Sequence, residues 1–357
     1  MYSPLRHIPS AFVRKRPVQF TFFLTRRCNA RCPFCFYLKD EDFQTGNKEL
    51  SLDEIKRVAE DLGNLLWLSF SGGEVFLRED VREITEIFYH HTRPAVILFS
   101  TNGLMPEVIR QEVEGILSDS PESRIVVKLS LDGFEETHDY LRGVRGAYGK
   151  VLETARLLNP LLGRYPNFEL GINTVFCREN QDEIPDLIDQ VKTMKGIRTH
   201  TVSLIRGRGL DEVDLGKYRK TVMRLEEQIR RGEAQRYSFR GARLKAAQDI
   251  LQRRLILQTI KENRQVMPCL AGRLTLVMRE EGSVYPCEDF RLRIGNIRDA
   301  GYRLTKLLET ERAKEVLNEI EKGGCHCTHE CYLMMSILFS PSAWPRLLRE
   351  YLRMDRD

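Results

Sequence analysis

Three cysteines lie within the eight residues CNARCPFC, from Cys28 to Cys35. The spacing CX3CX2C sets three thiols on one short stretch, straight after the apolar run VQFTFFL. Thiolates are ligands for zinc and for iron–sulfur clusters. Three are one short of a closed tetrahedral site. A zinc site wants a fourth Cys or His nearby, and the next histidine is His90. A cubane [4Fe–4S] cluster held by three thiolates leaves one iron open, and an open iron can chelate a substrate directly.

Five more cysteines gather at 269, 287, 325, 327 and 331, and only Cys177 stands alone. Such grouping points to metal or redox chemistry rather than to disulfides. The opening MYSPLRHIPSAFVRKR has no apolar core of a secretory signal. The longest apolar stretch, near YLMMSILF, is too short to span a bilayer. The expectation is a cytoplasmic chain without a membrane partner. Apolar content of 42% and charged content of 30% suit a globular enzyme and exclude a disordered chain. A length of 357 residues allows one large domain and a smaller one.

The elements that must position these cysteines are legible as periodic runs. Six strand-like runs end in turn residues: 18–25, 65–73, 95–103, 124–133, 168–176 and 200–205. Amphipathic stretches lie between them. In SLDEIKRVAEDLGN, Ser51 and Glu54 form a capping box, and Leu52, Ile55, Val58, Ala59 and Leu62 share one face. Strands alternating with helices imply βαβ units and a parallel sheet, and a βα barrel fits better than a doubly wound sheet. The strands read as nearly continuous apolar runs, as expected where both faces are covered. After about residue 206 the alternation stops. Lys217 to Arg254 holds twelve Lys/Arg against four acids. A nucleic-acid surface is one reading. A solvated helical linker is favoured, because no aromatic interleaving accompanies the charge. RLTLVM and VYPC, joined by the EEGS turn, read as a hairpin between Cys269 and Cys287. From Ala343 a short amphipathic helix carries Trp344, Leu347, Leu348 and Leu352.

Other candidate residues sit where strands end. Gly72, Gly73 and Glu74 follow the second strand. Glycines let backbone approach a ligand, and a carboxylate accepts from an ammonium group. Thr101 and Asn102, in STNG, end the third strand, and Ser130, in SLDG, ends the fourth. Arg142 follows in HDYLRG and is a bidentate partner for a carboxylate, although a surface ion pair is the commoner fate of an arginine.

Taken in order, CX3CX2C, GGE, TNG and SLDG with HDxxRG resemble the radical S-adenosylmethionine (radical SAM) enzymes. The resemblance covers roughly residues 17–210. It implies an α/β fold, a partial (β/α)6 TIM-like barrel. It implies that Cys28, Cys32 and Cys35 hold a [4Fe–4S] cluster and that SAM is the missing fourth ligand. Phe34 matches the position beside adenine. Gly72, Gly73 and Glu74 match the motif for the methionine amine, and Ser130 and Arg142 match positions that contact the methionine carboxylate. Val75 stands where the motif usually has proline. The implied chemistry is one-electron cleavage of SAM to methionine and a 5′-deoxyadenosyl radical, which takes a hydrogen atom from the substrate. A donor such as flavodoxin or ferredoxin would supply the electron.

Cys269, twelve residues, Gly282, four residues and Cys287 resemble the opening of the SPASM and twitch auxiliary-cluster domains. GGCHCTHEC, with Cys325, Cys327 and Cys331, resembles their closing element. Five cysteines cannot fill two further clusters, so the resemblance implies one auxiliary [4Fe–4S] cluster. Cys269, Cys287 and Cys331 are expected ligands, with Cys327 or Cys325 as the fourth. A zinc site that includes His326 or His329 is the alternative. Cys177 reads as a buried small hydrophobe, and His138 and Asp139 read as structural.

The expected organisation is an N-terminal extension (1–16), the barrel (17–210), a basic helical linker (211–264), a small α+β auxiliary domain (265–340) and a C-terminal helix (341–357). The resemblance implies a net oxidation or a crosslink on an unknown small-molecule or peptide substrate. The few residues before the first strand leave no room for a leader-binding domain, which tilts the expectation to a small or delivered substrate. The basic stretch suits an acidic or phosphorylated one. Alternatives are a peptide maturase and a non-catalytic iron–sulfur electron-transfer or scaffold protein.

Overall fold

β-Branched and aromatic residues favour pleated backbone, and the six expected runs form β1 (Gln19–Phe23), β2 (Trp67–Ser71), β3 (Val96–Thr101), β4 (Arg124–Ser130), β5 (Phe168–Phe176) and β6 (Ile197–Leu204). The structure, a computed structural model, describes residues 1–14, 16–38, 48–207, 209–237, 239, 241–323 and 325–354. Arg240 of the basic stretch and Gly324 of GGCHCTHEC lie outside the described residues. Neighbouring strands from β1 to β6 pair parallel, in chain order. Parallel pairing requires a crossover, and helices supply it between β1 and β2 (Leu52–Leu62), β2 and β3 (Val81–Thr92), and onward. The first of these carries both halves of its capping box, and Ile55, Val58, Ala59 and Leu62 are buried while Leu52 is half-buried.

Three further strands continue the same sheet. β7 (Thr275–Met278) pairs parallel with β1, then β8 (Ser283–Tyr285) and β9 (Gly295–Asn296) add antiparallel. The sheet runs β6-β5-β4-β3-β2-β1-β7-β8-β9 and does not close. The hairpin between Cys269 and Cys287 is therefore continuous with the barrel through β1. Gly282 makes its turn at φ +91°, a backbone conformation that other residues rarely adopt. This is why a glycine stands between the two cysteines.

The solvated reading of the basic stretch is corrected. Its long helix, Ala242–Glu262, buries eleven residues, among them Asp249, Gln252 and Arg253. The segment before it covers the open edge at β6. Arg236 N donates to Arg198 O (2.9 Å), and Gln235 Nε2 donates to His200 O (2.8 Å). An uncovered edge strand is a pairing hazard, and here this chain's own loop occupies it. Much of the charge is spent in ion pairs, such as Arg224 with Asp189 and Arg254 with Glu226. In the C-terminal helix, Trp344–Leu352, only Leu347 of the four apolar residues is buried. The buried carboxylate of Glu350, paired with Arg230 and Arg254, anchors it. Among the described residues no helix is long and apolar enough to cross a membrane.

Two buried histidines make the fold acid-sensitive. Burial pushes His138 and His200 from 6.5 down to about 3, with Arg142 adding at His138, and Lys128 and Arg253 at His200. A group with a lowered folded pKa contributes stability that is present above 6.5 and lost as pH falls towards 3. Glu74, raised from 4.5 to about 7, works in the opposite direction over its own window. We expect the urea midpoint to drop less between pH 7 and pH 5 in His200→Gln than in the parent protein. Parallel unfolding curves at the two pH values test this, and equal drops would contradict it.

Candidate active site

The ends of parallel strands feed loops on one face of a barrel, and the candidate residues fall on those loops. After β1 the chain passes through Cys28, Cys32 and Cys35. Arg31 N donates to Arg142 O (2.8 Å) and Cys35 N to Cys32 O (3.2 Å), which fixes the loop without using a thiol. Each sulfur accepts from a nitrogen. Cys28 Sγ accepts from Ala30 N (3.4 Å) and Asn102 Nδ2 (3.8 Å). Cys35 Sγ accepts from Leu38 N (3.3 Å), and Cys32 Sγ accepts from Arg142 Nη1 (3.7 Å). Burial pushes the Cys28 and Cys32 thiols up, and these donors oppose it. Hydrogen bonds aimed at sulfur favour the thiolate, which is the form that binds a metal and whose cluster potential such bonds tune. The loop therefore fits three cluster ligands.

The two glycines make room for this loop. Gly72 has φ +134°, and a Cβ there would lie 2.5 Å from Thr25 O. At Gly73 it would lie 2.1 Å from Arg27 O. Gly73 N donates to Thr25 O (2.7 Å) and Glu74 N to Arg27 O (2.8 Å). The end of β2 thus docks on the backbone leading into the cysteines. Glu74 is wholly buried and accepts from Thr101 Oγ1 (2.7 Å), Asn102 N (2.7 Å) and Phe76 N (3.3 Å). It joins the end of β2 to the end of β3. Burial holds its carboxyl up at about 7.

Arg142 is buried, not a surface residue. Its guanidinium pairs with the fully buried Asp132 and lies 5.7 Å from the centre of the Phe34 ring. Asp132 also accepts from Val175 N (2.8 Å). His138 Nδ1 accepts from Asp132 N (3.0 Å), and Asp139 accepts from Gly146 N and Tyr148 N. These bonds hold the loop after β4.

A cavity of about 400 Å³ opens beside the loop and runs down the inside of the barrel. Cys28, Cys32, Cys35, Phe34, Gly72, Gly73, Thr101, Asn102, Ser130 and Arg142 all line it. Glu74 does not; it stands behind Thr101 and Asn102. Deeper, the inward positions of β4, β5 and β6 supply Arg124, Lys128, Glu169, Thr199 and Thr201, and the helix Ala242–Glu262 supplies Asp249, Gln252 and Arg253. The sequence reading missed all of these, and Asp132. On β4 the signal was polar residues at alternate positions inside a run judged apolar: Arg124, Lys128 and Ser130 share one face with Val126.

The C-terminal cysteines divide. Cys269, Cys325 and Cys327 line a second, smaller cavity with His326 and Tyr332. Burial raises the Cys287 thiol, and Cys327 and Cys269 add to the effect. Cys331 instead lines the main cavity, beside Arg206, which pairs with Glu288 and Glu330. Cys177 is wholly buried in the hydrophobic core after β5. Among the described residues, no group of three or more His, Cys, Asp and Glu is gathered as a single metal ion would need.

Residues 22–191 match the profile of the Radical SAM superfamily, and the chain carries a domain of that superfamily. Enzymes of this class use a [4Fe–4S] cluster and SAM. The AdoMet-dependent heme synthase of Methanosarcina barkeri is 28% identical over 318 residues, 85% of this chain and 85% of that protein. The PqqA peptide cyclase of Rhodopseudomonas palustris is 27% identical over 336 residues, 87% of this chain and 82% of that one. Among solved structures, anSMEcpe with bound AdoMet superposes with a TM-score of 0.59 at 22% identity, covering 95% of this chain and 96% of that one. At that identity the likeness speaks for the fold, an open barrel of the same kind.

Proposed function

We propose that this protein cleaves SAM reductively at the Cys28/Cys32/Cys35 loop and oxidises or crosslinks a substrate held in the barrel cavity, with one auxiliary [4Fe–4S] cluster. The observation that carries the reading is that one cavity is lined by all three cysteines and by the ends of β2, β3 and β4. When bound, the cluster and SAM supply the one-electron chemistry and the hydrogen-abstracting radical. The chain's own residues orient and enclose. A nitrogen donor stands at each sulfur, placed to bond a cluster thiolate. Gly72, Gly73, Thr101 and Asn102 form a wall of the cavity, and Ser130 and Arg142 would be the polar groups offered to a methionine carboxylate. The helix Ala242–Glu262 helps wall the chamber, so that a reactive species is kept from water and stray donors. Formation of 5′-deoxyadenosine from SAM by anaerobically reconstituted protein with a strong reductant tests the reading. Cluster loading without any SAM cleavage would favour an electron-transfer protein.

A second reading, maturation of a ribosomally made peptide, is supported by the similarity to PqqA peptide cyclase over most of both chains. A precursor peptide that increases SAM turnover would select it.

For the auxiliary cluster, the geometry supports Cys269, Cys287, Cys325 and Cys327 as the ligand set, with Cys331 facing the main cavity. This set differs from the expectation that put Cys331 among the ligands. The expected result is that Cys331→Ala retains about eight irons per chain and Cys327→Ala falls towards about four. Iron assay of the two reconstituted variants checks this. A loss in Cys331→Ala with none in Cys327→Ala would reverse the assignment.

A further inference from the structure

The deep half of the main cavity carries more positive charge than its carboxylates neutralise. Four carboxylate or cationic groups there are already matched. Glu169 pairs with Arg124 (3.3 Å), and Asp249 pairs with Lys245 while accepting from Tyr237 Oη (2.6 Å). Two cations remain. Lys128 is 8% exposed, and its Nζ donates to Thr199 Oγ1 (2.6 Å) and Thr201 Oγ1 (3.3 Å) but to no carboxylate. Arg253 is 6% exposed, and its Nη1 donates to Asp249 O of its own helix (3.4 Å). Among the described residues neither forms an ion pair, and both line the cavity.

The Asp249 and Glu169 carboxylates lend Lys128 a favourable field, but each is already bonded to another cation, and a buried cation with no carboxylate of its own is costly. These two stand on different elements, β4 and the helix Ala242–Glu262, and face one space. The hydroxyls add to the case. A threonine oxygen that accepts from an ammonium still has its hydrogen to give. Thr199 and Thr201 can therefore each donate to a further acceptor. Gln252 accepts from Gln248 through Oε1 (2.6 Å), which leaves its Nε2 as another donor at the same wall. Gly171 on β5 keeps the place clear, since a Cβ there would lie 2.7 Å from Lys128 Nζ and 2.2 Å from Thr199 Oγ1.

We infer that the deep cavity binds an oxyanion of the substrate, a carboxylate or a phosphate, with Lys128 and Arg253 as counter-charges and Thr199 and Thr201 as hydroxyl donors. The inference rests on the reading that the barrel cavity holds the substrate. Lys128 stands two residues before Ser130, or about 7 Å down the strand. The substrate would then be tethered by its anion at depth, with its reacting carbon towards the cysteine loop. Burial lowers the Lys128 ammonium from 10.5 to about 7. An arriving anion would restore its charge.

The test is thermal melting of the anaerobic reconstituted protein in sodium glutarate, sodium phosphate and sodium chloride at matched ionic strength. Both oxyanions stabilise proteins generally by exclusion from the surface, and that part is common to every variant. The site adds a specific rise of about 2 °C when its probe is well above its Kd. Lys128→Met and Arg253→Gln lose the specific rise, and Lys128→Met melts higher than wild type in chloride because it removes a buried ammonium that no carboxylate bonds. A rise confined to glutarate identifies a carboxylate, and one confined to phosphate identifies a phosphate. Equal rises in wild type and both variants overturn the inference. SAM cleavage by wild type is measured separately. Cleavage without a specific rise rejects the oxyanion site alone, and a specific rise without cleavage rejects the radical reading alone.

Discussion

A protein in which Cys28, Cys32 and Cys35 are all alanine forms no 5′-deoxyadenosine above the background of reductant alone, and holds about four irons per chain where wild type holds about eight. The two readouts move together for one reason. Each sulfur is placed by loop backbone and met by its own donor, so no other group can substitute as a ligand at those positions. The change leaves the scaffold intact. The loop is fixed by Arg31 N to Arg142 O, Gly73 N to Thr25 O and Glu74 N to Arg27 O, none of which uses sulfur. The variant should therefore fold and keep the proposed C-terminal cluster. Iron assay and chromatography of the cleavage products decide the matter. A variant that still cleaves SAM would remove the loop from the chemistry. A wild type with about four irons, and zinc at the C-terminal cysteines, would instead reject the auxiliary cluster.

The second large effect is on stability. Replacing Asp132 by alanine costs about 3–5 kcal/mol, because it strands the buried Arg142 guanidinium without its counter-charge. Asp132 is wholly buried, and it also takes the N–H of Val175. Its loss therefore loosens β5 as well as the loop after β4. Arg142 is left against Cys32 Sγ and the Phe34 ring. The double variant Asp132→Ala/Arg142→Met should recover a large part of the loss, since it removes the stranded charge together with its partner. Urea unfolding of the two single variants and the double variant forms a cycle that isolates the pair. If Asp132→Ala melts like wild type, the pair is not a structural tie. If the double variant is as unstable as the sum of the singles, the two residues act independently.

These expectations draw unequally on the sequence. Local chemistry was readable from it. Three thiols within eight residues cannot separate by more than the reach of a short chain, so their shared site needed no fold to be inferred. The strand and helix periods were equally local, as the capping box at Ser51 and Glu54 shows. The alternation of β and α elements implied the parallel pairing seen among β1 to β6. The positions of the glycines were readable too, although the close approach they permit is to the backbone after β1, at Thr25 and Arg27.

Tertiary structure alone decided the inside of the cavity. Whether Lys128 faces a helix or a lumen depends on strand register, and a shift of one residue would reverse it. Whether Arg253 is solvated or buried depends on where the helix Ala242–Glu262 packs. Its sequence, rich in Arg and Gln around the circumference, does not mark one apolar face. The same holds for Cys331, only four residues from Cys327 yet facing another space, because a helix begins at Glu330 and turns its side chain away. Spacing in sequence limits how far apart two groups can be, but burial and charge balance are set by elements that meet from far along the chain.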